Sequence, residues 1–152
     1  MGKVYEATQK IKLDADAEVG YRIMCDFEKY PTWWKHVRTV NVLERDDRDV
    51  AVKVHYVFDI ALKQGFKLTQ HYTYDDENRV LHFNAVGGDF DKSGGFLRFT
   101  NTGAGVCEVE YYVKVELSMP LAATVLFFLT EKAMKDVLLM LKTEAEKQAA
   151  SG

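Results

Sequence analysis

From residue 37 to residue 117 the apolar side chains recur at every second position, in six runs joined pairwise by short polar or glycine-bearing breaks. Residues 37–45 and 50–58 flank Asp46-Asp47-Arg48-Asp49, and residues 65–74 and 79–86 flank Asp75-Asp76-Glu77-Asn78. Residues 94–100 and 106–117 flank Asn101-Thr102-Gly103-Ala104-Gly105. A period of two with such breaks predicts three consecutive hairpins, an antiparallel meander. Few folds accommodate a meander of that length, and the segments around it narrow the choice. Residues 4–13 alternate as well, with Tyr5, Ala7, Ile11 and Leu13 on one face and Glu6, Thr8, Lys10 and Lys12 on the other, which predicts a half-buried strand. Asp14 then reads as a helix cap with residues 15–27 behind it, and Tyr30-Pro31-Thr32-Trp33-Trp34 as a second short helix with proline in its first turn. After the meander Pro120 opens a long helix to about Gln148. Its apolar stripe runs through Leu121, Val125, Phe128, Leu129, Met134, Val137, Leu138 and Leu141 at spacings of three and four.

A twisted sheet beside a single striped helix buries that stripe only by wrapping around it. The expected fold is therefore α+β: a helix-grip arrangement, with a seven-stranded antiparallel sheet around a long C-terminal helix and two short helices after the first strand. The 152 residues are one domain's worth of chain. No linker or internal repeat divides them, so residues 1–152 read as a single domain.

Composition removes several functions. Lys plus Arg is 20 and Asp plus Glu is 23, a formal net charge of −3, unlike the basic balance of a nucleic-acid binder. Two cysteines, Cys25 and Cys107, are too few for a disulfide framework or a four-thiolate zinc site. The longest apolar run, Leu121 to Leu129 interrupted by Thr124, is half a membrane span at most. The charged N-terminus has no signal-peptide core, and Glu6 stands where a myristoylation motif wants Ser or Thr. The expectation is a cytoplasmic protein with reduced thiols, no integral membrane span and no nucleic-acid partner; its oligomeric state is not legible.

Three stretches carry a family resemblance: Asp26-Phe27-Glu28-Lys29-Tyr30-Pro31-Thr32-Trp33-Trp34 leading to Val37 and Val40-Asn41-Val42-Leu43-Glu44; Leu97-Arg98-Phe99 running to Thr102-Gly103-Ala104-Gly105; and the closing proline with its helix. Together they resemble the START-like (SRPBCC) superfamily, in its polyketide cyclase/dehydrase and coenzyme-Q-binding-protein branch. The resemblance implies a ligand cavity between sheet and terminal helix. It does not choose among cyclases, lipid carriers, receptors and ribosome-associated proteins, so function rests on the site.

Hairpin arithmetic sorts the strand faces. A loop at 75–78 sets Tyr72 against Leu81, Gln70 against Phe83, Leu68 against Ala85, and His71 against His82. A loop at 46–49 sets Leu43 against Val52, Asn41 against Val54 and Thr39 against Tyr56. In the third hairpin, Leu97 and Phe99 share a face with Cys107, Val109 and Tyr111 if the loop is odd. The expected cavity walls are Tyr56, Phe58, Gln70, Tyr72, Phe83, Phe99 and Tyr111, with Val125, Phe128 and Leu129 from the helix. Apolar walls with a few polar groups suit a small-molecule site, although the same residues would serve as core in any α+β domain.

No catalytic constellation is legible. His71 and His82 form a cross-strand pair without a third ligand, and His36 and His55 have no Cys, Asp or Glu at motif spacing; no metal site or cofactor is expected. Cys25 and Cys107 read as small buried hydrophobes. Of Trp33 and Trp34, one plugs the core while the other covers a helix junction or lines the cavity mouth. The reading favoured is binding or transport of a hydrophobic small molecule, lipid-like or polycyclic aromatic. The alternatives are an aromatase/cyclase, in which Gln70, Tyr56, Tyr72 and Tyr111 orient a polyketide, and a protein-interaction module, for example a ribosome-associated one. The enzyme reading lacks an inward Arg or His, and tyrosine with a pKa near 10 is protonated at neutral pH.

Overall fold

The computed structural model describes residues 3–60, 63–88, 92–117 and 131–151. Seven antiparallel strands form one sheet: β1 (Lys3–Leu13), β2 (Val37–Arg45), β3 (Ala51–Ile60), β4 (Lys63–Asp75), β5 (Val80–Gly88), β6 (Ser93–Gly103) and β7 (Val106–Leu117). Their spatial order is β1-β7-β6-β5-β4-β3-β2: the meander with the first strand added beside the last. Between β1 and β2 lie α1 (Ala17–Cys25), a 3₁₀ turn (Phe27–Lys29) and α2 (Tyr30–Trp33); α3 (Ala133–Ser151) closes the chain. This is the expected helix-grip fold. The expected helix start at Pro120, with Leu121, Val125, Phe128 and Leu129, lies outside the described residues.

Helix α1 starts two residues later than expected. Its cap is Asp16, whose Oδ1 accepts from the Glu18 N–H at 2.9 Å. Asn101, at the end of β6, accepts from the Ala17 N–H at 2.9 Å and donates to Asp16 at 3.2 Å. Asp14 instead donates its backbone N–H to Glu146 of α3 at 2.9 Å. A Cβ on Gly20 would stand 2.8 Å from the Phe99 ring, so α1 reaches the sheet only because this position has no side chain. Helix α3 buries Met134, Val137, Leu138 and Leu141 of the expected stripe, and Ala145 beyond it; Lys132, just before the helix, pairs with Asp136 at 2.7 Å.

Two registers differ from expectation. In β4–β5 the turn is 76–79, held by Asp75 accepting from Asn78 and by Arg79 at φ 53°. The pairing therefore shifts by two, so that Tyr72 faces Phe83, Gln70 faces Ala85 and His71 faces Asn84, and by three beyond a bulge at Thr69–Gln70, where Leu68 faces Gly88. An even shift keeps every side chain on its face, but it separates His71 from His82, whose partner is Thr73. In β2–β3 the loop holds Asp49 at φ 63°, Asp46 accepts from the Arg48 and Val50 N–H groups, and bulges follow in β2. This shift is by one residue. Val40 faces Tyr56 and Val42 faces Val54, so Val40 and Val42 turn inward in place of Thr39, Asn41 and Leu43, and Leu43 is 56% exposed. The third hairpin pairs Leu97 with Tyr111 and Phe99 with Val109, as an odd loop requires. In β6 a Cβ on Gly95 would lie 1.9 Å from the Tyr112 carbonyl oxygen, which only glycine accommodates.

Candidate functional site

The inward face has two sides. On the β6–β7–β1 side Leu13, Cys107, Val109 and Phe99 are sealed beneath α1 and α3. Phe99 belongs here: its ring meets Tyr21 edge-on at 6.1 Å and lies under Gly20, apart from the other cavity candidates.

The β3–β4–β5 side carries Tyr56, Phe58, Gln70, Tyr72 and Phe83, and Tyr111 reaches Phe83 from β7. Tyr56, Tyr72 and Phe83 are buried, while Phe58, Gln70 and Tyr111 are half-buried. The Tyr56 and Tyr72 hydroxyls meet at 2.5 Å. One donates to the other, so the pair engages one of its two protons and keeps a donor to spare. Phe83 meets the Tyr111 ring edge-on at 6.1 Å, and Phe58 stacks on Phe66 at 5.7 Å. Val125, Phe128 and Leu129 lie outside the described residues.

The face pattern alone did not bring in the aromatic cluster of the 3₁₀ turn and α2. Tyr30 stacks on Tyr56 at 6.0 Å, and Phe27 packs against Tyr72 at 4.4 Å. Trp33 and Trp34 flank Tyr30 at 5.5 and 5.4 Å. The signal was present in the sequence as aromatics at 27, 30, 33 and 34, a helical spacing that gives Phe27, Tyr30 and one tryptophan a common side. Tyr30 donates its hydroxyl proton to the Met24 carbonyl, and Tyr74 donates to that of Ala51.

Among the described residues, two buried side-chain polar atoms have no hydrogen-bond partner, Gln70 Oε1 and Trp33 Nε1, both on this side. Gln70 stands between Val54 of β3 and Ala85 of β5. A bulge sets Thr69 against Gly87 and leaves Val86 unpaired beside it. Short residues therefore border the amide on its β5 side, and bulges are frequent next to functional sites.

Burial pushes the Tyr56, Tyr72 and Tyr30 phenols well above their ordinary range and Tyr111 up to about 12. At neutral pH they donate and accept hydrogen bonds but cannot serve as bases. Among the described residues no Asp, Glu, His, Lys or Arg is buried. Nor does any group of three or more His, Cys, Asp or Glu residues there have metal-site geometry. His36 does find an acid, Asp136 at 3.8 Å, through a tertiary contact that sequence spacing could not show. Desolvation is the largest influence on that imidazole, lowering its pKa against the pull of Asp136. Cys25 is half-buried and Cys107 buried; desolvation raises their thiols to about 12 and about 11, so neither is an activated nucleophile.

A separate cleft of about 360 Å³ lies between α1 and the β2–β3 and β4–β5 turns, lined among others by Tyr21, Cys25, Phe27, Val42, Tyr74 and Asp76. It includes none of the cavity candidates, and its polar groups satisfy one another: Arg22 with Glu18 at 3.0 Å, Arg45 with Glu28 at 2.7 Å, Tyr21 with Asp76 at 2.7 Å.

A protein-family model described as "Polyketide cyclase / dehydrase and lipid transport" matches residues 13–142. No curated protein matches the sequence. Among solved structures, a START superfamily protein from Mycobacterium smegmatis aligns with TM-score 0.86 at 19% identity, covering 94% of this chain and 98% of that one. The Zhui aromatase/cyclase from a Streptomyces species aligns with TM-score 0.85 at 16% identity, covering 99% of each chain. Norcoclaurine synthase from Thalictrum flavum, in complex with dopamine and hydroxybenzaldehyde, aligns with TM-score 0.73 at 10% identity, over 93% of this chain and 86% of that one. At such identities these structures establish the shared fold.

Proposed function

The chain belongs to the polyketide cyclase/dehydrase and lipid transport family, and from that premise we propose that it binds a hydrophobic small molecule against the aromatic β3–β4–β5 side of its sheet. The observation that carries this is the pair of unpartnered buried atoms, Gln70 Oε1 and Trp33 Nε1, set among Tyr30, Tyr56, Tyr72 and Phe83. A closed core avoids unmet polar atoms because each costs about 1–3 kcal/mol. A ligand site needs a few of them among apolar walls to orient what enters.

Binding is favoured over catalysis by the chemistry on this face. Proton transfer at neutral pH calls for a group titrating near that pH, whereas the phenols here are held neutral. The Tyr56–Tyr72 pair and Gln70 can orient a ligand's oxygens without exchanging protons with it.

The test is native mass spectrometry of wild type titrated with a neutral fused-ring aromatic. The expected adduct is one molecule per chain. Ala85→Trp fills the space beside Gln70 and should abolish the adduct while the melting transition stays cooperative. A wild type that takes up no apolar molecule, or an Ala85→Trp variant that binds as well as wild type, would remove this reading.

A further inference from the structure

We infer that the ligand is electrically neutral and presents a hydrogen-bond donor, a phenol or enol hydroxyl, to Gln70 Oε1, which makes Gln70 the specificity-determining residue of the site. The inference rests on the binding reading above and goes beyond it by excluding carboxylate ligands such as fatty acids.

The position of Gln70 is fixed from both sides. It points inward from β4 two residues before Tyr72, with Val54 opposite on β3 and Ala85 opposite on β5. Neither neighbour can donate a hydrogen bond from its side chain. Neighbouring backbone N–H groups lie in the plane of the sheet, while an inward side chain stands roughly perpendicular to it, and none of them meets Oε1. The Oε1 acceptor is thus buried and aimed where only something other than the sheet can meet it. An unmet amide oxygen selects for a donor: a ligand with a hydroxyl restores the bond the oxygen lost on leaving water, and one with an ether or a bare ring edge does not.

Neutrality follows from the charge inventory. Among the described residues the inward face has no buried cation. A fatty-acid carboxylate brought here would be desolvated without a counter-ion and would set its negative oxygens toward another acceptor, Gln70 Oε1. The oxygen that accepts from a hydroxyl therefore disfavours a fatty-acid carboxylate set against it. The spare hydroxyl proton of the Tyr56–Tyr72 pair, two residues along the same face, offers the complementary contact for a ligand carbonyl; successive inward residues of a strand stand about 7 Å apart.

The experiment compares four probes on wild type by isothermal titration: anthracene, its phenol, the methyl ether of that phenol, and anthracene carboxylate. The expected order places the phenol about tenfold tighter than the ether and the hydrocarbon, with the carboxylate weakest. In Gln70→Leu, or Gln70→Met if the leucine variant misfolds, the hydrocarbon should bind at least as well as the phenol. Equal affinity of wild type for phenol and ether would mean that an ordered water satisfies Gln70; that overturns this inference and leaves hydrophobic binding intact. A carboxylate that binds tightest would overturn it as well. If none of the four binds, the binding reading itself falls and takes the inference with it. The wild-type ranking decides the matter without any variant.

Discussion

On the β6–β7–β1 side of the concave face, Leu13, Cys107, Val109, Leu141 and Ala145 have no solvent exposure, and none of their side chains contains nitrogen or oxygen. On the β3–β4–β5 side, Tyr56 and Tyr72 are almost as deeply buried at 4% and 5%, yet they carry hydroxyls, and Gln70 and Trp33 add polar atoms that nothing meets. The two sides share strands, twist and hydrophobicity. What separates them is side-chain shape and polarity. Branched aliphatics fill a layer and leave no bonding demands, while flat rings with polar tips leave both. The first side holds α1 and α3 on the sheet; the second is where the proposed ligand would bind.

Breaking the sealed side should have the largest effect on stability. Leu141→Ala leaves a cavity in a fully buried site and is expected to cost about 2–5 kcal/mol, read from urea denaturation. Probe affinity of the molecules that remain folded should not change. A variant that loses probe affinity with little loss of stability would show that the two sides are not separate.

A smaller effect sharpens the other side. Tyr56→Phe or Tyr72→Phe leaves one buried hydroxyl facing a ring edge, and each should cost about 1–2 kcal/mol. The double variant removes both hydroxyls and should cost less than the sum of the singles, as a double-mutant cycle on urea midpoints will show. Strict additivity would mean that the 2.5 Å contact contributes no coupling.

The gentlest probe is alkaline pH. Buried phenols with raised pKa values retain their protons in the folded chain after the unfolded chain begins to lose them near pH 10. Above that pH the native state binds more protons than the unfolded state, so stability falls as pH rises. Below it these groups contribute no pH dependence. The decline should begin near pH 10 and continue through the value of about 12 that Tyr111 adopts. Phenolate absorbance at 295 nm should rise together with unfolding. Absorbance from these tyrosines that rises well before unfolding would show them to be solvated.

The two sides were not equally legible in the sequence. Period-two alternation assigns faces without assigning registers. The β4–β5 loop moved by one residue and the pairing by two, so Gln70, Tyr72 and Phe83 kept their face although each partner changed. The β2–β3 loop, with Asp49 in the left-handed region, moved by one and turned β2 over, exchanging Leu43 for Val40 and Val42. No alternation rule predicts which acidic residue of Asp46-Asp47-Arg48-Asp49 takes that conformation. Phe27, Tyr30 and the tryptophans reached the site through tertiary packing of short helices on β3 and β4, and the unmet Gln70 oxygen depends on which side chains fail to reach it. Faces are local properties of a strand, and unsatisfied atoms are global ones.

The central claim, that the aromatic side receives a hydrophobic molecule, is tested most directly by tryptophan fluorescence. The chain has two tryptophans, Trp33 and Trp34, and both pack on Tyr30 of that side, so their emission reports on it alone. Titration with a neutral fused-ring probe should change that emission along a saturable curve with a stoichiometry of one and a micromolar midpoint, and Ala85→Phe, which fills the same space without adding an indole, should abolish the protection of Trp33 and Trp34 from acrylamide quenching that the probe confers on wild type. A probe that leaves tryptophan emission and quenching unchanged up to its solubility limit would contradict the account.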